Sequence, residues 1–114
     1  MRNPIPAATL WAGLFLTAAA IPAAADETPT FHLKIQNHRF APETLTISAG
    51  KQVVLLVTNA DAEPEEFESY ALNREKLIPG KTTGKVYLGP LDPGSYPFFG
   101  DFHQATAQGR VIVK

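Results

Sequence analysis

Between positions 61 and 75 the chain carries Asp61, Glu63, Glu65, Glu66, Glu68 and Glu75 against a single basic residue, Arg74. Carboxylates crowded together repel one another by on the order of 1 kcal/mol per close pair unless a cation neutralises them. Such oxygens, joined by an imidazole, are hard to borderline donors that suit Fe(II), Mn(II), Zn(II) or Cu(II) and hold Cu(I) poorly. The imidazoles available are His32, His38 and His103. His103 follows Asp101 in the run Gly100-Asp101-Phe102-His103, and a histidine beside such an apolar stretch is either a structural hydrogen-bonder or a ligand. His32 falls on the polar side of a strand pattern and reads as solvated. His38, in the Asn37-His38-Arg39 turn, reads as a turn residue or as an extra ligand or docking group. With Phe67 in a core, strand alternation sends Glu66 and Glu68 together to the opposite face, whereas Glu65 sits at a loop end that alternation does not place. The bland counterpart is a solvated acidic loop over 61–75, and Asp61 and Glu63, taken singly, fit that description better.

Other chemistries are narrowed by what the chain lacks. It has no cysteine, so no thiolate can bind metal or act as a nucleophile, and its one methionine is Met1. Ser69, Ser95, Asp101 and His103 show no elbow or triad spacing of the kind hydrolases use. Tyr70, Tyr87 and Tyr96 read as packing residues with polar tips. Phe98, Phe99 and Phe102 are placed to wall a site from water.

The elements that must position these residues read as strands. Phe31, Leu33 and Ile35 alternate with His32, Lys34 and Gln36, and Leu45 and Ile47 alternate with Thr44, Thr46 and Ser48. Gln52 to Thr58 is a nearly unbroken β-branched and leucine run, which suits a central strand buried on both faces. Glu66 to Leu72, Lys85 to Leu88, Tyr96 to Phe99 and Arg110 to Lys114 supply further strands. Turn signals lie at Ala49-Gly50-Lys51, Ile78-Pro79-Gly80 and Leu91-Asp92-Pro93-Gly94. Residues 73 to 77 read as one helical turn. The sum is an all-β sandwich of about seven short strands.

Ahead of the strands, Ala7 to Ile21 is apolar apart from Thr9, Gly13 and Thr17, and Ala23-Ala24-Ala25 follows just before Asp26. That pattern reads as a signal peptide over 1–25 and an exported, periplasmic domain over 26–114. Removing Arg2 with the leader leaves nine basic against eleven acidic residues, a net charge of −2. Such a surface gives no basic footprint for nucleic acid, and no second apolar stretch is long enough to span a membrane.

Several stretches resemble the cupredoxin family. They are Phe40-Ala41-Pro42-Glu43-Thr44-Leu45-Thr46-Ile47-Ser48-Ala49-Gly50-Lys51, then a valine-rich strand ending at Asn59, then Leu91 to Phe99, a loop, and Gly109 with the last strand. The resemblance covers nearly all of residues 31 to 114 and implies a cupredoxin-like Greek-key β-sandwich. In blue-copper members a histidine follows the third strand, and a cysteine, a histidine and usually a methionine come from the loop before the last strand. Those places fall here at Glu65 or Glu66, Gly100, His103 and Ala107, so an ordinary blue-copper centre is not expected.

A narrower likeness is to cupredoxin-like proteins of bacterial periplasmic iron uptake, encoded beside ferrous-iron permeases. It rests on Glu65-Glu66-Phe67-Glu68-Ser69, Arg74-Glu75-Lys76 with Pro79-Gly80, and Phe99-Gly100-Asp101-Phe102-His103. Relatives that place cysteine in the site depart from this chain at Phe40 and Gly100. The likeness implies a copper or iron ion and a role in Fe(II) oxidation or delivery to an iron permease or other uptake component. It also implies that Asp101 and His103 approach Glu65 or Glu66 at one pole, with Glu75 reaching in. The expected metal set is therefore Glu65, Glu66, Glu68, Glu75, Asp101 and His103. The alternative is a metal-free β-sandwich interaction module that docks a basic partner through the acidic loop.

Overall fold

Among the described residues the molecule is built of nine short strands, more than the pattern of apolar residues announces. A computed structural model of the chain describes residues 2–6, 12–17 and 27–114. The Ala23-Ala24-Ala25 cleavage pattern and most of the apolar run before it lie outside the described residues. Among the described residues no helix is long and apolar enough to cross a membrane.

β1 (Thr30–Gln36) turns through Asn37 and His38 into β2 (Arg39–Ala41). Gln36 pairs with Arg39, and both turn residues have left-handed φ values, 53° and 56°. This is the mirror-image two-residue turn whose twist matches that of the flanking strands, and asparagine and histidine are among the non-glycine residues that tolerate it. β4 (Val53–Asn59) runs parallel to β1 and antiparallel to β7 (Thr83–Leu88), giving a sheet ordered β2-β1-β4-β7. The second sheet is ordered β3-β9-β8-β5-β6, from β3 (Thr44–Ile47), β5 (Glu65–Ser69), β6 (Arg74–Ile78), β8 (Gly94–Gly100) and β9 (Gln108–Val113).

The two sheets close on a core that includes Leu33, Ile35, Leu55 and Val57 from one side and Phe67, Phe98 and Val111 from the other. Burying each such side chain contributes roughly 1.5–3 kcal/mol. Phe40 stands edge-on to Phe98 and Phe67, with ring centres 4.9 and 6.2 Å apart. β4 is central, as its composition implies, but only one face is fully buried. Val53, Leu55, Val57 and Asn59 point inward, and the residues between them are half-buried.

Two expectations are corrected. Residues 73 to 77 are not a helical turn: Arg74–Ile78 is the edge strand β6, paired with β5 along its length from Glu65↔Ile78 to Ser69↔Arg74. The ladder overrides helix-compatible side chains there. The strand expected to run to Leu72 ends at Ser69, whose hydroxyl donates to the Pro97 carbonyl (2.6 Å) and accepts the Leu72 amide (3.1 Å). Tyr70–Asn73 then turns the chain back into β6.

Candidate metal centre

At one pole the β1–β2 turn, the β4–β5 loop and the β8–β9 connection meet. Asn59, fully buried at the end of β4, organises the loop that follows it. Its amide group donates to the carbonyls of Glu63 (2.7 Å) and Ile78 (3.1 Å), and its oxygen accepts the Asp61 amide (3.0 Å). Asp61 is thereby presented to the turn, where its two oxygens accept the backbone amides of Asn37 (2.8 Å) and His38 (3.0 Å). The His38 amide, with that of Asn37, holds the Asp61 carboxyl below its ordinary pKa. An aspartate expected to be solvated is the clamp that fixes His38.

Glu65 opens β5 and faces inward with Phe67 and Ser69, only 1% exposed. Its Oε1 accepts the amides of Glu66 (3.0 Å) and Phe102 (2.9 Å), and its Oε2 lies 2.6 Å from His103 Nδ1. His103 ends the short 3₁₀ turn Asp101–His103, and its carbonyl accepts the Ala107 amide (2.8 Å). The hydrogen bond to Glu65 raises the His103 pKa against the opposing effect of burial, with Glu63 adding to the rise. His103 Nε2 is 3.2 Å from Glu63 Oε2. The His38 ring stacks on the His103 ring, with centres 3.6 Å apart and planes inclined by 13°. One potential ligand atom from each of His38, Glu65 and His103 lies within 4.8 Å of the others.

The remaining expected residues gather elsewhere. Glu66 and Glu68 point away from the core, as alternation requires, and with Asp101 they place carboxylate oxygens within 4.8 Å of one another. Glu75 sits opposite Glu68 in the β5–β6 ladder, and its carboxyl group acts on that of Glu66. The single convergence expected of the six residues is thus two groups. Glu65 and His103 join His38 and Glu63 at the pole, while Glu66, Glu68, Glu75 and Asp101 form an acidic patch on the outer face. The hydrogen bond from Glu75, with lost solvation and neighbouring charge, pushes Glu66 up to about 7, and lost solvation with the charges of Asp101 and Glu75 raises Glu68. A carbon-detected NMR titration of Glu66 should give a midpoint near pH 7, and Glu75→Gln should return it toward the ordinary carboxylate range. A wild-type Glu66 midpoint already in that range would show that the pair shares no proton.

Nor do the phenylalanines wall the pole as a group. Phe98 lies in the core, Phe99 is on the outer face against Tyr70 (ring centres 5.4 Å apart), and Phe102 is 48% exposed. His32 is exposed, as its place in the strand pattern implies.

The description "Cupredoxin-like domain" matches residues 7–113. The chain is 43% identical over 81 residues to an uncharacterised protein of Rickettsia prowazekii, and the match takes in 71% of this chain but 65% of that relative's length. Among solved structures, auracyanin A, a "blue" copper protein from Chloroflexus aurantiacus, is similar with a TM-score of 0.65 and 18% identity, over 75% of this chain and 98% of that one. The metal-binding domain of a Cu(I)-exporting P-type ATPase from Streptococcus pneumoniae gives 0.67 and 11%, over 75% and 84%. A purple cupredoxin from Nitrosopumilus maritimus gives 0.57 and 20%, over 73% and 98%. These structural likenesses show the fold.

A copper–thiolate centre does not fit the residues present. Gly100 stands where the resemblance to blue-copper members places the cysteine, and a Cβ built on it would lie 2.6 Å from Glu65 Cδ, 2.8 Å from Glu65 Oε2 and 2.8 Å from the Ala107 Cβ. The buried carboxyl group of Glu65 has taken that volume. What remains is two imidazoles and carboxylates, a donor set for a divalent ion of borderline hardness. On the family match, which takes in nearly the whole sequence, the chain belongs to the cupredoxin-like domain family.

Proposed function

We propose that this domain binds a divalent metal ion, Cu(II) or Fe(II), at the pole formed by His38, Glu63, Glu65 and His103. The supporting observation is the approach of ligand atoms from His38, Glu65 and His103 to within 4.8 Å of one another, on three separate segments of a cupredoxin-like sandwich. We further propose that the protein is exported to the periplasm by its leader. There it assists Fe(II) oxidation or the delivery of iron to a permease, as its likeness to iron-uptake cupredoxins implies. Bound copper would supply a one-electron acceptor for Fe(II). The chain's own contribution is to hold two imidazoles with their Nε2 atoms toward the exposed carboxylate of Glu63 and to surround them with carboxylates that favour a cation.

Calorimetric titration of the purified protein with Cu(II), Zn(II) and, without oxygen, Fe(II) tests the reading. Binding should be micromolar or tighter, weaken at low pH because protons compete for the imidazoles, and fall at least ~100-fold in His103→Ala. A wild-type dissociation constant no tighter than about 1 mM for every ion would overturn it.

A second reading has its own observation. Glu68, Tyr70 and Glu75 line one shallow recess on the outer face, and Tyr70 is 79% exposed. A metal-free module docking a basic partner there would lose partner capture in Glu68→Ala and be indifferent to chelators.

A further inference from the structure

Each of the two imidazoles of the pole lies between two carboxylates. His103 Nδ1 lies 2.6 Å from Glu65 Oε2, and His38 Nδ1 lies 3.6 Å from Asp61 Oδ2. On the other side of each ring, Nε2 faces the same oxygen: Glu63 Oε2 is 3.2 Å from His103 and 3.8 Å from His38. A metal-binding imidazole uses one nitrogen for the ion and gives its other N–H to a carboxylate or carbonyl, which fixes the tautomer and aims the ring.

The two glutamates are not equivalent in this arrangement. Glu65 is buried, and its oxygens are committed to two backbone amides and to His103. Turning it toward an ion would take its oxygen from the part-buried Phe102 amide and leave that donor unpaired. Glu63 is 67% exposed, and among the described residues its carboxylate faces only the two imidazoles.

Resting on the reading that this pole binds a divalent ion, we propose that its direct ligands are Nε2 of His38, Nε2 of His103 and the carboxylate of Glu63, with Glu65 and Asp61 as positioning residues behind the rings. The result is a two-histidine, one-carboxylate site with its remaining positions open to solvent or an exogenous ligand, suited to Cu(II), Zn(II) or Fe(II). The two arms differ in stiffness. His103 is anchored by a short charge-assisted hydrogen bond. His38 is tied down through its backbone, and its ring makes only longer contacts. Stacked rings inclined by 13° point their in-plane lone pairs nearly parallel, so one ring must tilt for both to meet one ion, and His38 is the ring that tilts.

Nitrogen-15 NMR of the metal-free protein, combined with Zn(II) titration, tests this ligand set. Above the raised pKa of His103, the wild-type ring should carry its proton on Nδ1 and leave Nε2 bare. In Glu65→Gln, the side-chain oxygen stays with the two amides, so its NH₂ group faces Nδ1. The ring proton should move to Nε2, and affinity should fall ~10–100-fold. Glu63→Gln, at an exposed position, should leave the fold and the tautomer unchanged yet weaken Zn(II) by at least ~10-fold. His38→Asn keeps a residue that tolerates the left-handed turn and should cost at least as much. If Glu63→Gln binds like wild type while Glu65→Gln abolishes binding without moving the ring proton, Glu65 is the ligand and this assignment falls alone. If the wild-type protein binds no Zn(II) or Cu(II) tighter than about 1 mM, the assignment falls together with the reading it rests on.

Discussion

Glu65→Ala should destabilise the metal-free protein by about 3–5 kcal/mol, the range expected when one partner of a buried, hydrogen-bonded charge pair is removed. Glu65 is 1% exposed and accepts three hydrogen bonds, so its loss leaves the part-buried Phe102 amide and His103 Nδ1 atom without their acceptor. The same change should weaken a pH dependence. His103 has a folded-state pKa above its unfolded value of 6.5 because of the Glu65 hydrogen bond. Its contribution to stability is therefore fully present below the unfolded value and lost as pH rises through the folded one. Glu66 also has a raised folded pKa, but its window runs from 4.5 to about 7, so the two contributions separate above neutrality. Urea unfolding followed from about pH 7 to about pH 9 should show wild type losing stability on the alkaline side, while Glu65→Ala shows a smaller loss, the part that Glu63 sustains. A Glu65→Ala variant within about 1 kcal/mol of wild type would mean that the carboxyl group does not organise this pole.

Several of these features were legible in the residues before any coordinates. The period-two spacing of Glu66 and Glu68 about Phe67 sends both to the outer face, because a strand's side chains alternate whatever it pairs with. Glu65 escaped that argument: whether the strand includes it depends on the pairing with Ile78 across the β5–β6 ladder. The 73–77 segment departs from its local helical preference for a related reason. Its arginine, glutamate, lysine and leucine favour helix locally, and only the ladder with β5 makes them a strand. His38 carried a usable signal in the pair Asn37-His38, which fits a two-residue hairpin turn between alternating segments. Its clamp did not, since Asp61 reaches that turn from more than twenty residues away. Asp61 and Glu63 look like any solvated acidic loop until Asn59, buried at the end of β4, folds that loop back over the turn.

Gly100→Ala should destabilise the fold by about 1–3 kcal/mol through overpacking, although it adds a single methyl group. Gly100 has an ordinary extended backbone, φ −93° and ψ 113°, so the penalty is purely one of space. The new Cβ would meet Glu65 Cδ at 2.6 Å and the Ala107 Cβ at 2.8 Å. Glu65 cannot swing aside without giving up its backbone amides, and Ala107 is fully buried and tied by its amide to the His103 carbonyl. In the double variant Glu65→Ala/Gly100→Ala the methyl enters the space the carboxyl group has left, and the cost should be smaller than the sum of the two single changes by about 0.5–3 kcal/mol. Rescue should be incomplete, because Ala107 still presses on the same point and the orphaned amide remains. A Gly100→Ala variant as stable as wild type, or a double variant that is simply additive, would show that the carboxyl group and the missing side chain do not compete for one volume. If they do compete, a thiolate at position 100 and a buried Glu65 exclude each other. The chain's choice of oxygen and imidazole donors over sulfur is then enforced by packing as well as by the absence of cysteine.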